Sequence, residues 1–310
     1  MEQREFIVEQ ETAGQRIDRF LSGEDTGLSR SALQALVAEG HVQCNGKTVA
    51  KSLKLKAGDT VLLEIPDAKP IEAVPQDIPL DIVYEDSHLL VVNKPKGMVV
   101  HPAPGNPDGT LVNALLWHCK GSLSGIGGEI RPGIVHRIDK DTSGLVLAAK
   151  NAYAAPLLAG GVEKLYYAIA QGALPPGEGV IDAPIGRRGD SIIGRCVTPE
   201  GKPSRTEYTI IKEENGLSLA ACVPVTGRTH QIRVHFASIG HPLAGDDLYG
   251  GSRERIARQA LHCAKQSFAV PVYTPLPDGI RVGMPLQLRT VTVESPLPPD
   301  MEALFFVKTA

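Results

Sequence analysis

Apolar positions near the start of the chain recur at helical spacing. Ile17, Phe20 and Leu21 fall at i, i+3 and i+4, one stripe on a short helix. Leu33, Leu36 and Val37 repeat the pattern, with Ser29 suited to cap this second helix and Gly40 suited to end it. His41 to Cys44 then alternates, Asn45-Gly46 has the composition of a type I′ hairpin turn, and Lys47 to Val49 returns. Gly58-Asp59 offers another turn before a strand from Thr60 to Ile65. Two helices and a small sheet in roughly 50 residues suffice for a minimal core.

The pattern breaks where Pro66, Pro70, Pro75 and Pro79 crowd one short segment. Proline removes backbone donors and favours extended chain, so 66–79 reads as a stiff linker between a small domain, 1–65, and a larger one, 80–310. In the larger part Leu89 to Val92 predicts a buried strand ending at Asn93-Lys94-Pro95, and Thr110 to Trp117 a helix. Leu145 to Ala149, Thr206 to Ile211 and Leu217 to Val223 read as further strands. Leu165, Tyr167 and Ile169 alternate with Lys164, Tyr166 and Ala168, the period of a strand. That alternation puts Tyr167 on one face with Leu165 and Ile169, which suits a core-facing aromatic. Ile232, Phe236 and Ile239 follow Thr229 at helical spacing until Gly240. The fold class expected is α+β, with a mixed, largely antiparallel sheet. No G-x-G-x-x-G follows a strand and no G-x-x-x-x-G-K-[ST] occurs, so dinucleotide and nucleoside triphosphate readings lose their usual support.

Composition narrows the class. The 310 residues are 42% hydrophobic, an ordinary value for a globular chain. No apolar run approaches the roughly 20 residues of a membrane helix. The start, Met1-Glu-Gln-Arg-Glu-Phe-Ile, lacks a signal-peptide pattern. Cys44, Cys119, Cys196, Cys222 and Cys263 are scattered and odd in number, which argues against a disulfide framework or thiolate zinc site. A soluble cytoplasmic protein is expected, and nothing demands more than a monomer. The net charge of −3 is unusual for a protein that grips phosphates, so any affinity for nucleic acid must be local. It can be: residues 41–58 hold Lys47, Lys51, Lys54 and Lys56 with no carboxylate, and 226–238 hold Arg228 and Arg233 with none. Arg187, Arg188, Arg195, Lys202 and Arg205 outnumber Asp190 and Glu200 in a third stretch. Together these favour an anionic partner.

The densest polar cluster is His136-Arg-Ile-Asp-Lys-Asp-Thr-Ser143, directly before an apolar strand. By composition alone, a turn whose side chains bond local backbone accounts for it.

Two resemblances sharpen these readings. Gln15-Arg-Ile-Asp-Arg-Phe-Leu, Leu28-Ser-Arg-Ser, Glu39-Gly-His-Val-Gln-Cys-Asn-Gly-Lys and Ala57-Gly-Asp-Thr-Val resemble the small RNA-binding domain of the S-four type, over residues 12–65. This implies RNA binding through the helix pair and adjoining loop, with Arg16, Arg19, Arg30, Lys47 and Lys51 as contacts. Gly133-Ile-Val-His-Arg-Ile-Asp-Lys-Asp-Thr-Ser-Gly resembles the His-Arg-Leu-Asp-x-x-Thr-Ser-Gly signature of the RluA-type pseudouridine synthase family, with Ile138 in place of the leucine. Val91-Val-Asn-Lys-Pro-Lys-Gly-Met-Val-Val-His-Pro precedes it, continuing through Gly105-Asn-Pro-Asp-Gly-Thr. Lys164-Leu-Tyr166, Thr226-Gly-Arg-Thr-His-Gln-Ile-Arg-Val-His235, His241-Pro-Leu-Ala-Gly-Asp246 and Ala260-Leu-His-Cys-Ala follow in family order. The likeness spans roughly residues 80–305, and the N-terminal module points to the RluD-like branch.

That family turns uridine in RNA into pseudouridine: the bond to nitrogen 1 breaks, the uracil turns, and carbon 5 bonds to the anomeric carbon. Nothing is oxidised and no group is imported, so no cofactor and no metal are expected. The resemblance implies Asp139 as the essential carboxylate and Arg233 as its cationic partner. Such a partner opposes loss of charge in a partly dry pocket and fixes orientation. It implies Tyr166 as the active-site tyrosine, stacking on uracil or moving a proton. A uridine in helical RNA must first be flipped out, and Arg137 is placed to fill the gap or pair with phosphate. Lys94, Lys96 and Arg228 are expected phosphate contacts; His101, His136, His230 and His235 are expected to be structural or to touch RNA. The N-terminal module favours large-subunit (23S) ribosomal RNA, with transfer RNA as the alternative. A non-catalytic ribosome-assembly factor would predict a degraded signature, yet Asp139, Tyr166 and Arg233 are all present. A glycoside hydrolase needs a second positioned carboxylate; Asp141 is the candidate, and a turn role suits it better.

Overall fold

A computed structural model describes residues 2–24, 30–50, 52–65, 73–103, 105–120, 133–150, 161–189 and 193–272, 287–305, and the single residues 123, 154, 158 and 191. Ser29, Lys51, Asp190, the first half of the proline-rich segment and the Arg30 side chain lie outside the described residues. The chain divides into two compact units, Met1–Lys69 and Pro70–Ala310.

The first unit packs α1 (Ile17–Gly23) and α2 (Arg30–Ala38) against a four-stranded sheet. Its strands are β1 (Glu2–Ile7), β2 (Val42–Cys44), β3 (Lys47–Thr48) and β4 (Thr60–Ile65), in the order β1-β4-β2-β3. Asn45 and Gly46 adopt φ of 50° and 75°, the left-handed pair that a type I′ turn requires. Ile17, Phe20, Leu21, Leu33 and Val37 bury their stripes against Val42, Val61 and Leu63. Strand β1 has no expectation behind it: Glu2-Gln-Arg-Glu-Phe-Ile is a charged edge strand, held by its pairing with β4 and by Phe6 packing edge to face on Phe20.

The second unit is built on a nine-stranded sheet. In chain order its strands are β5 (Ile82–Glu85), β6 (Leu89–Lys94), β7 (Ser143–Ala149) and β8 (Glu163–Gln171). A separate hairpin, β10 (Ile185–Arg187) with β11 (Arg195–Val197), follows β9 (Gly177–Asp182). Then come β12 (Arg205–Glu214), β13 (Leu217–Pro224), β14 (Leu261–Val272) and β15 (Gln287–Glu294). The order is β5-β6-β7-β14-β8-β13-β12-β9, with β15 also on β14. Among the described pairs only β7 with β14 is parallel. Gly144 makes that contact possible: at φ 108° it has no Cβ to overlap the Cys263 backbone. Among the described residues, α3 (Leu111–His118), α4 (Gln231–Ser238) and the short α5 (Pro299–Glu302) accompany the sheet.

Both faces of the sheet are covered around β7, which explains why β7 is buried at every position and shows no alternation. Tyr166, Ala168 and Ala170 face the larger core, while Ile169 packs with Met301, Leu304 and Phe305 on the other side. The described half of the proline-rich segment is not a free spacer. Gln76 donates its amide to the Asn113 carbonyl, and Asn113 donates to the Val74 carbonyl. The non-proline positions keep their backbone groups, and α3 uses a donor at Gln76 and an acceptor at Val74. Among the described residues no helix is long and apolar enough to cross a membrane.

Candidate active site

The β7 end of the signature segment, strand β8 and the start of α4 meet around a cleft of about 510 Å³, within the usual range for a ligand site. Asp139, Tyr166 and Arg233, distant in sequence, all line it, with Arg137, Lys164 and Arg228.

The loop that carries Asp139 is held by its carbonyls. The Thr142 amide donates to the Asp139 carbonyl, the Gly97 amide and Lys94 Nζ to that of Lys140, and Arg258 to that of Asp141. The Asp139 side chain is thereby free to project into the cleft, 19% exposed. Its Oδ2 accepts from Arg233 Nη1 at 2.9 Å. Arg233 is in turn gripped by Asp246, whose two oxygens take Nε at 2.6 Å and Nη2 at 2.8 Å. Only the planar guanidinium fork can serve two carboxylates this way. Burial works against the Arg233 charge, but the hydrogen bonds and charge of Asp246, with Asp139 adding, hold its pKa above the ordinary value. The Tyr249 ring caps the guanidinium at 5.1 Å. Gly245, at φ 76°, lets the Asp246 loop press against the Arg258 carbonyl.

Tyr166 departs from the alternation's assignment. It belongs to the core and to the cleft at once, whereas half-buried Tyr167 lies outside the cleft lining. The reason is that the cleft opens from the larger core's own face of the sheet. Burial pushes the Tyr166 pKa well above the ordinary value, with Cys263 and Asp139 adding, so the hydroxyl keeps its proton at neutral pH.

Lys94 corrects an expectation. Instead of facing phosphate it is fully buried, and its Nζ donates to the carbonyls of Pro95, Met98 and Lys140 at 2.8, 2.8 and 3.0 Å. Burial pulls its pKa down to about 7 against Asp141 and Asp139, yet three acceptors match the three hydrogens of an ammonium and not the two of an amine. Lys94 thus ties β6 to the signature loop. Replacing it with Met should strand those carbonyls and lower the unfolding free energy by about 2–3 kcal/mol. A urea midpoint equal to wild type would show that they find other partners.

The remaining expected contacts divide. Arg137 and Arg228 are exposed at the cleft, and Arg19 and Lys47 are exposed in the first unit. Arg16 pairs with buried Asp18 at 3.0 Å, and Lys96 with Asp300 at 2.8 Å. Asp141 is not among the cleft residues. His235 bonds the Thr206 hydroxyl and the Ala183 carbonyl, a structural role, and burial lowers its pKa. His136 is half-buried in the cleft wall, its Nε2 taking the Leu147 amide, and burial pushes its pKa down to about 3. Gln231 staples the loop before α4, accepting from the Thr226 hydroxyl and the Arg228 amide. Asp246 and Gln231 stand inside the family-like blocks, but nothing in the sequence gave either a role. An acid four residues past a helix-ending Gly-His-Pro was the available signal for Asp246.

A mixed sheet that sets one carboxylate in a cation-rimmed cleft, on a chain that also carries a small domain with exposed Arg19 and Lys47, fits an enzyme that modifies RNA. Comparison with known proteins agrees. The family model for RNA pseudouridylate synthase matches residues 88–238, and that for the S4 domain matches residues 15–61. A ribosomal large subunit pseudouridine synthase D of Zymomonas mobilis is 42% identical, over 98% of this chain and 97% of its own. An uncharacterized RNA pseudouridine synthase of Bacillus subtilis is also 42% identical, over 98% and 97%. The solved structure of human RNA pseudouridylate synthase domain containing 1 superposes with a TM-score of 0.55 at 25% identity, covering 77% of this chain and 90% of that one. The chain belongs to the RluA-type family of RNA pseudouridine synthases, in its RluD-like branch with an N-terminal S4 domain.

Proposed function

We propose that this pseudouridine synthase acts on large-subunit ribosomal RNA, with Asp139 as its essential carboxylate. The observation that carries the reading is the Asp139–Arg233–Asp246 clamp: a partly exposed carboxylate fixed by a cation that is itself fixed. Attack on the anomeric carbon, or neutralisation of the positive charge that develops there, needs an ionised and oriented carboxylate, and Arg233 supports both requirements. The reaction balances within the nucleoside: the nitrogen 1 bond is exchanged for a carbon 5 bond, carbon 5 loses a proton and nitrogen 1 gains one. Tyr166, protonated and at the cleft, serves as stacking surface and proton carrier. Arg137, exposed at the rim, fills the space left by the flipped uridine.

The ribosomal substrate is supported by the Zymomonas mobilis relative, named for the large subunit, and by a relative of the same name in Vibrio parahaemolyticus at 40% identity. Pseudouridine mapping across total RNA from a strain lacking the protein tests it. Loss of modification in 23S ribosomal RNA is expected; loss confined to transfer RNA would replace the substrate.

The S4 domain supplies docking. Arg19 and Lys47 are exposed, and neutralising either one should reduce the salt slope of binding by about 0.7–0.9 if it meets a phosphate. Removing residues 1–65 should therefore weaken ribosomal RNA binding and flatten its salt dependence. Unchanged affinity across a salt series would end the docking role.

A further inference from the structure

His230 lines the cleft beside Asp139 and has no part in the reaction scheme. Its backbone is left-handed, φ 58°, at the N-cap of α4, uncommon for a residue with a side chain. That conformation aims the ring between two partners. Nδ1 lies 2.7 Å from the Tyr249 hydroxyl, and Nε2 lies 3.7 Å from Asp139 Oδ1, on the carboxylate oxygen that Arg233 leaves free. The rings of His230 and Tyr249 meet edge to face at 5.7 Å.

The Tyr249 oxygen already accepts the Arg195 amide at 3.1 Å. Its own hydrogen needs an acceptor, and Nδ1 is the partner within reach. Burial raises the Tyr249 pKa, so that hydrogen is present at neutral pH. Asp139, Arg233, Asp246 and Arg195 all face the His230 ring. Burial lowers its pKa against the pull of Asp139, with Arg233 and Arg195 assisting, so one nitrogen carries a hydrogen at pH 7.

We propose that the Arg195 amide and Tyr249 lock His230 as the Nε2–H tautomer, making it the second donor that positions Asp139. The inference rests on Asp139 being the working carboxylate. At 3.7 Å the contact is open, and it closes to hydrogen-bond distance when substrate fills the cleft, as catalytic hydrogen bonds commonly do. Arg233 then holds Oδ2 and His230 holds Oδ1, which stops the carboxylate from rotating. His230 is a positioning residue.

Two measurements on the full chain test this. In protein labelled with ¹⁵N-histidine, with the His230 signals assigned by their loss in His230→Gln, Nε2 should be protonated and Nδ1 bare at pH 7. Tyr249→Phe should give a mixture of tautomers. A wild-type ring protonated at Nδ1 overturns the proposal. For turnover, Gln places its amide nitrogen near the position of Nε2, and Asn near that of Nδ1. His230→Gln should stay within about threefold of wild-type kcat, whereas His230→Asn should lose about 30-fold with KM little changed. Asn accepts the left-handed backbone more readily than Gln, so a folding defect would produce the opposite order. Equal losses, or a loss confined to KM, overturn the proposal. The tautomer measurement reads no activity, so it fails separately from the role of Asp139, which Asp139→Asn tests.

Discussion

Asp139→Asn should bind structured RNA with wild-type affinity and release no tritium from RNA carrying 5-tritiated uridine, a loss of about 10⁴-fold or more. The amide has the shape of the carboxylate, and its oxygen can still accept from Arg233 Nη1. It lacks the charge needed to attack the sugar or to offset a cation, and nothing else in the cleft replaces it. Asp246 has both oxygens committed to Arg233, and Asp141 does not line the cleft. Because Asp139 is partly exposed, the fold should tolerate the change, so lost turnover would not reflect lost structure. Turnover near 1% of wild type would remove Asp139 from the role.

Arg233→Lys should damage fold and turnover together. The guanidinium is 8% exposed and spends three nitrogens on two carboxylates. A lysine ammonium has one nitrogen on a flexible stem and cannot reproduce the fork. It can neutralise Asp246 or orient Asp139, and the buried Asp246 has the stronger claim. The expected loss is about 10²–10³-fold in kcat and about 2–4 kcal/mol in unfolding free energy. Stopped-flow turnover and urea unfolding read the two effects on the same sample. Arg233→Ala should be worse, since it leaves Asp246 buried without a counter-ion. A lysine variant within tenfold of wild-type kcat would show that charge suffices and geometry does not matter.

Legibility followed local physics. The stripes at Ile17, Phe20 and Leu21 and at Ile232 and Phe236 became α1 and α4, and Asn45-Gly46 became the turn between β2 and β3. Strand β14, by contrast, pairs with β7, β8 and β15, so its 12 residues answer to several environments and carry no single period. Tyr166 and Tyr167 were separable by alternation only if one face of β8 were core and the other open; both faces are covered.

By itself the sequence determined α1, α2, α4, the turn between β2 and β3, the local lysine cluster and the ordered blocks that place Asp139, Tyr166 and Arg233 in one family's pattern. These are decided by neighbours in the chain, through helical and strand periods and turn chemistry. Only the tertiary structure decided that Lys94 is enclosed by three carbonyls, that Asp246 grips Arg233 from behind, and that Tyr249 stands at His230. A charged side chain has no preferred partner until long-range packing removes its water, and the groups that then replace that water lie wherever the sheet has brought them.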